Sequence, residues 1–414
     1  ENDQLCDYNL IIYSFLVILS FEKDMNHLHT FYHDSQALIN AAIEPIGPWQ
    51  DSGLLDNIAT ASKQLLDPIA IDKGYYPTAE MSQLAKLGAF SVHLSAQGGR
   101  FGNAILATAK ISETCGTTGF LSWCHQVCAL YLDQSDNHTL KSDILHRHAL
   151  GESFGGTALS NPMKTFANIE SMILRAQRVN GGYVVSGTLP WISHIAPNQY
   201  CGAIASVEHG GQIDKDIFFL LSFDEARKDN WQLNPCPTFS GMEGSSTWQI
   251  ALTDYFVPDD SLIADPAKPF IERVRGAFVL MQLGIGAGII QGAIHDITAV
   301  EVQLGHVNQF LEDQAGTLQT QLDALIERTL VLAKTPFETH KDFFLEVLDT
   351  RIQGAELSLQ ATQASLLHQG AKGYLMSANP QRRIREAHFV AIVTPAIKHL
   401  RYLSHQLLTE KSPK

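Results

Sequence analysis

The chain has 414 residues, 45% of them hydrophobic and 17% charged, a balance that gives room for two or three domains and is too apolar for a disordered protein. Its formal net charge of -14 leaves no basic surplus to replace the counterions of a phosphate backbone, which argues against a nucleic-acid partner. An anionic ligand would need a local basic pocket. The cysteines, Cys6, Cys115, Cys124, Cys128, Cys201 and Cys236, show no framework spacing, so a reducing, cytoplasmic setting is expected. Cys124-His125-x-x-Cys128 supplies too few ligands for a tetrahedral site, and no metal is expected.

Leu10 to Phe21 is a nearly unbroken apolar run. It is too short to span a bilayer as a helix, and an acidic flank replaces the basic start of a signal peptide, so no membrane association is expected. Met25 is a natural start for the helical region after it, and residues 1–26 are read as an extension without an assigned role. Residues 27–150 read as a helical domain: Asp56 to Leu66, Thr78 to Leu87, Asn103 to Cys115 and Gly119 to Asp133 repeat apolar positions three and four apart. The glycines of Gln97-Gly98-Gly99-Arg100-Phe101-Gly102 lack the Gly-Lys-Ser/Thr ending of a phosphate loop.

Near Gly151 the period changes to two. Across 151–265 short alternating runs at Met172–Val179, Tyr183–Thr188, Tyr200–Val207, Asp216–Ser222, Trp231–Leu233 and Thr247–Tyr255 predict an antiparallel sandwich or barrel. Residues 266–414 return to helical periodicity over Gly276–Val300, Gly316–Ala333, Lys341–Gln369 and Pro380–Leu408, which implies a bundle. Gly284, Gly286 and Gly288 within the first of these are costly unless another backbone packs closely there.

The stretch Gly182-Tyr183-Val184-Val185-Ser186-Gly187-Thr188-Leu189-Pro190-Trp191-Ile192-Ser193 stands out within the β region. In an extended backbone Trp191 and Ser193 project to the same side, giving an aromatic plate beside a hydroxyl, a suitable floor for a flat heterocycle. A buried tryptophan in a sandwich core is the plainer alternative.

Helices, then a small β region, then a bundle is the order in which this chain resembles the acyl-CoA dehydrogenase superfamily, from about residue 50 onward. Ile111-Ser112-Glu113-Thr114-Cys115-Gly116 is similar to that family's helix-to-turn segment, and Ala158-Leu159-Ser160-Asn161-Pro162 to the start of its flavin loop. Trp191-Ile192-Ser193 resembles its Trp-Ile-Thr turn, and Gly241 to Thr247, followed by Thr253 to Pro258, resembles its last β segment. Gly370-Ala371-Lys372-Gly373-Tyr374 and Arg385-Glu386-Ala387 stand where it has Gly-Gly-x-Gly-Phe and Arg-Asp-Ala.

The resemblance implies an α+β fold with an all-α N-terminal domain, a central antiparallel β-sandwich or barrel and a C-terminal four-helix bundle. It also implies a flavin, FAD or the smaller FMN, and a homodimer or homotetramer acting on the CH-CH group of an acyl thioester or related compound. By position Trp191 would stack beside the flavin ring, Ser193 would meet its N5 and O4 edge, and Leu159 and Ser160 its pyrimidine end.

The chain departs from the family pattern where chemistry is expected. Thr394 occupies the position of the usual catalytic Glu, followed by Pro395, and Phe278 occupies an alternative base position. Neither side chain can abstract a proton at neutral pH. Met163-Lys164-Thr165-Phe166 replaces the family's glycine-rich pyrophosphate contact, and Glu301 replaces an Arg that meets a neighbouring phosphate. Reduced-flavin monooxygenases of the same fold need a late His where this chain has Val393; His388 and His399 are the histidines nearby. His125 is a candidate stand-in base, with a satisfied helix-interface histidine as its plainer reading. Dehydrogenase, monooxygenase or oxidase, and a non-catalytic acyl-ligand or partner-binding relative are therefore the three functional expectations.

Overall fold

The computed structural model describes residues 52–409, so the readings made of residues 1–51 lie outside the described residues. The longer helices before the sheet are α1 (Ser52–Leu65), α2 (Thr78–Lys86), α3 (Phe101–Thr114) and α4 (Gly116–Gln134). Helix α4 is buried along its whole length from Gly116 to Asp133, which is the pattern of a core helix with no solvent face. After the sheet region come α6 (Ala267–Met281), α7 (Leu283–Asn308), α8 (Ala315–Leu332), α9 (Lys341–Gln369), α10 (Asn379–Ile392) and α11 (Ile397–Thr409). A short helix, α5 (Ser160–Phe166), lies between the first two strands.

Helices α3 and α7 meet backbone to backbone. A Cβ added at Gly284 would lie 2.4 Å from the carbonyl oxygen of Ile105, and one at Gly288 would lie 2.1 Å from that of Ala109. Gly284 and Gly288 are thus the close-packing positions their cost in a helix suggested, whereas a Cβ at Gly286 would make only an ordinary contact, 3.4 Å from the Gly354 carbonyl oxygen. The stretch Ala267–Asn308 is long and apolar enough to cross a membrane, yet it is almost entirely buried inside the protein.

The strands are β1 (Gly155–Thr157), β2 (Arg175–Val179), β3 (Gly182–Ile192), β4 (Tyr200–His209), β5 (Gln212–Ser222), β6 (Trp231–Pro235), β7 (Trp248–Pro258) and β8 (Leu262–Ala264). They form one sheet in the order β6-β7-β3-β2-β4-β5-β8, with β1 beside β4. Because β1 and β2 both run parallel to β4, the sheet is mixed and not wholly antiparallel as the strand pattern suggested. Alternation along β4 and β5 sends Ile204, Phe218 and Leu220 into the core shared with the helices, and Ala203, Ala205, Phe219 and Leu221 into a second core on the other face.

Two predicted helices are each divided. Gln282 separates α6 from α7, and its side chain is committed elsewhere, to the Thr394 carbonyl and to Arg351. The helix predicted over Pro380–Leu408 breaks between Ile392 and Ile397. Pro395 has no N–H for a helical bond and disfavours helical backbone at the residue before it, so Thr394 leaves the helix.

Helix α10 carries the densest set of buried charges. Glu386, 1% exposed, accepts from Arg382 at 2.6 Å and from the backbone N–H of Gly116 at 3.0 Å, which caps the start of α4. Arg383 pairs with Asp296 of α7 at 2.8 Å, and Arg385 pairs with Asp72. Glu386→Ala, which strands Arg382 in a buried site, is expected to cost about 3–5 kcal/mol in urea unfolding. A loss under about 1 kcal/mol would show that the clamp contributes little.

Candidate functional site

Strand β3 builds the rim on which the site stands. Its pairing with β7 shifts register between Leu189 and Ile192, and Trp191, within that shift, adopts a left-handed backbone with φ 53°. A bulge of this kind re-aims a side chain, and the indole stands 64% exposed with an edge contact to Phe239 at 6.4 Å. The premise of an extended backbone from Trp191 to Ser193 does not hold. The indole nevertheless faces outward and is not part of the sheet's core.

Beside it, Ser193 Oγ bonds Thr247 Oγ1 at 2.7 Å, and Thr247 Oγ1 bonds Ser245 Oγ at 2.8 Å. Thr247 and Ser245 were visible in sequence only as part of a β segment. Four non-glycine residues in this rim and its facing turn have left-handed backbones: Trp191, His194, Met242 and Ser246. Each costs on the order of 1 kcal/mol, and such strain persists where surrounding contacts over-determine it.

Strand β1 connects the rim to the second group of candidates. A Cβ at Gly156 would sit 2.8 Å from the Ser193 carbonyl oxygen, and the chain then runs through buried Leu159 to Ser160 at the start of α5. Ser160 Oγ bonds Thr394 Oγ1 at 2.8 Å, while Gln282 Nε2 donates to the Thr394 carbonyl at 2.8 Å. The structure therefore brings Ser160 and Thr394 together across 234 positions of sequence. Phe278 is buried with its ring edge-on to Trp123 at 5.1 Å.

Other candidates are occupied. Lys164 Nζ lies 3.0 Å from both carboxylate oxygens of Glu170, so its charge is already paired. Glu301 is exposed on α7. His388 is exposed and His399 buried, both apart from the hydrogen bonds of Thr394.

His125 is fully buried, and its Nε2 donates to the His148 carbonyl at 2.9 Å while His148 Nε2 donates to the His125 carbonyl at 2.8 Å. The two rings stack with centroids 3.6 Å apart. Enclosed by Phe90 and Phe154 as well, His125 is a packed partner of His148 and lacks the access a base for substrate needs. Sequence spacing gave no sign of this cluster, because His93, His125, His148 and His194 come from four separate segments.

The ring end of a flavin fits the residues present: an unobstructed indole, a hydroxyl chain at its side, and a second hydroxyl pair at Ser160 and Thr394. A separate small cavity of about 10 Å³ between α3, α7 and α8, lined by Ile105, Leu283, Ala287 and Leu325, would hold at most a water.

No protein-family model matches the chain. It is 23% identical over 337 residues to a probable acyl-CoA dehydrogenase of Bacillus subtilis, covering 77% of this chain and 86% of that protein. Butyryl-CoA dehydrogenase from Megasphaera elsdenii superposes with a TM-score of 0.77 at 16% identity, over 89% of this chain and 100% of that one. Dibenzothiophene monooxygenase from Paenibacillus sp. A11-2 superposes with a TM-score of 0.72 at 16% identity, over 87% and 98%. The fold is that of the acyl-CoA dehydrogenases. In sequence the chain is similar to acyl-CoA dehydrogenases over most of its length.

Burial depresses the proton affinity of the histidine cluster: His93 to about 4, His148 and His194 to about 3, and His125 well below its ordinary value. Below about pH 6.5 the unfolded chain takes up protons that the folded one refuses, so stability present at neutral pH is lost as pH falls from there toward 3–4. At about pH 5 the loss is about 2 kcal/mol for each of His93, His148 and His194. Urea midpoints near neutral pH and at pH 5 should differ accordingly; equal midpoints would mean that these rings titrate in the folded state.

Proposed function

We propose that this chain is a flavin-dependent oxidoreductase acting on an acyl thioester or a related carbonyl compound. The observation that carries the reading is the outward-facing Trp191 at a bulged sheet rim, beside the Ser193, Thr247 and Ser245 hydroxyls. When bound there, a flavin supplies the redox chemistry, and the protein supplies orientation and hydrogen bonds. Trp191 offers a stacking face, Ser193 a hydroxyl at the ring's edge, and Leu159 and Ser160 the opposite end. FAD is the cofactor the family resemblance suggests. The pairing of Lys164 with Glu170 supports FMN as an alternative, because little positive charge is left for a pyrophosphate.

The proton-abstracting role falls on a residue other than Thr394. Its hydroxyl holds Ser160 and its carbonyl accepts from Gln282, and a hydroxyl at its ordinary pKa is no base at neutral pH. That observation supports a second reading, a reduced-flavin monooxygenase or oxidase, in which the chain would position flavin and substrate without an α-proton base.

Titration of the purified protein with FAD and FMN should give a bound flavin spectrum, and Trp191→Ala should weaken binding about tenfold or more. Anaerobic bleaching by an acyl-CoA would support the dehydrogenase reading, and Thr394→Glu should then raise its rate. Oxygen uptake with reduced flavin, without dye reduction, would support the monooxygenase reading. A protein that binds neither flavin would sink both.

A homodimer or homotetramer is part of the proposal, in a reducing compartment consistent with the free thiols Cys115, Cys124, Cys128, Cys201 and Cys236. It is supported by large apolar side chains left exposed where α7 and α9 end: Val302 at 97%, Phe310 at 82%, and Tyr374, Leu375 and Met376 beyond α9. Light scattering should give a mass of two or four chains, reduced by Phe310→Glu together with Met376→Glu. A monomeric wild-type chain at micromolar concentration would remove the oligomer from the proposal.

A further inference from the structure

His194 comes directly after Ser193, yet it points the other way, into the protein. It is fully buried with φ 64°, and its Nδ1 lies 2.8 Å from the hydroxyl of Tyr76. That hydroxyl donates to Gln199 Oε1 at 3.1 Å, so its one proton is spent, and His194 Nδ1 must be the donor to the phenol oxygen. The His194 ring also meets Phe154 and His125 edge-on at 5.6 Å. Its own N–H donates to the Ser245 carbonyl at 2.9 Å, on the turn whose Ser245 hydroxyl belongs to the chain reaching Ser193.

Resting on the flavin reading above, we infer that His194 is a positioning residue: its side chain, held by Tyr76 of the helical layer, fixes the left-handed turn that presents Trp191 and Ser193 to the cofactor. The reasoning is one of constraint. Two non-glycine residues in left-handed backbone, Trp191 and His194, bracket Ile192 and Ser193, and the turn would relax toward ordinary strand geometry unless both ends were tied. At the Trp191 end the indole meets the edge of Phe239 and the backbone meets the Cys236 thiol, both within the β region, whereas the tie to the helical layer sits at His194. The tie comes from the segment between Asp72 and α2, which makes the rim's shape depend on the seat of the helical layer against the sheet.

Four variants separate anchoring from packing. His194→Asn keeps a donor near the Nδ1 position and tolerates left-handed backbone. His194→Gly keeps the backbone freedom and loses the anchor. Tyr76→Phe keeps the aromatic packing and removes only the hydroxyl, so it tests the same tie in a protein expected to fold. His148→Phe disturbs the buried cluster without touching the rim. Two readouts apply: the fluorescence anisotropy of Trp191, obtained as the difference from Trp191→Phe without any flavin, and the affinity and visible spectrum with FMN.

His194→Gly and Tyr76→Phe should lower Trp191 anisotropy, weaken FMN about tenfold and alter its bound spectrum. His194→Asn should restore both, and His148→Phe should lower the melting temperature while leaving both unchanged. Unchanged anisotropy in His194→Gly and Tyr76→Phe, or equal changes in His148→Phe, would overturn the inference. If the wild-type protein binds no flavin, the flavin reading fails while the anisotropy comparison still decides whether His194 holds the turn.

Discussion

Helix α10 is where the molecule commits most buried charge, and it sets the position of everything after it. Arg382, Arg383, Arg385 and Glu386 tie it to α3, α4, α7 and the segment holding Asp72. Buried ion pairs contribute little net stability against an apolar replacement, because desolvation offsets attraction. Their value is in exclusion: any register of α10 other than this one leaves several charges unpaired. With α10 fixed and Pro395 ending it, Thr394 arrives opposite Ser160.

The helical parts were readable because their apolar residues recur at helical spacing over long stretches, as in Lys341–Gln369, which the structure reproduces to the residue. What sequence could not show were interruptions decided by single residues. Gln282 marks the junction of α6 and α7 with its backbone still in the helical region and its buried amide bonded to Thr394 and Arg351. Strands β1 and β8 have three residues each and carry no period to detect. Trp191 was identifiable from its motif, but its left-handed backbone depends on the register shift against β7, a tertiary feature. The histidine cluster was invisible for a related reason: its members are ordinary alone and come from separate segments, His194 joining the others only where the sheet packs on α4.

The rim and the Thr394 region show two ways of handling polar groups in an apolar setting. At the rim the hydroxyls of Ser193, Thr247 and Ser245 bond one another in a chain, leaving rotatable protons that can reorient toward a ligand edge. In the cluster beneath, the protons are fixed. His125 and His148 each donate to the other's carbonyl, and Tyr200 satisfies the remaining nitrogen of His148. A rigid layer of this kind under an adaptable one is a sound arrangement for holding a planar ligand, since only the layer in contact needs to adjust.

Arg351 completes the electrostatic picture. It is 1% exposed, and its donors go to the neutral oxygens of Gln282, at 2.9 Å, and of Val390, at 2.6 Å. Burial lowers its pKa to about 10, which still leaves it charged at neutral pH. Gln282 relays that charge, accepting from Arg351 at one end and donating to the Thr394 carbonyl at the other. The guanidinium charge thus lies two hydrogen bonds from the Thr394 carbonyl. The site around Thr394 is therefore biased toward negative charge, although the residue there cannot itself carry any. A carboxylate introduced at this position would be stabilised by Arg351, and so would charge developing on a ligand that reached it.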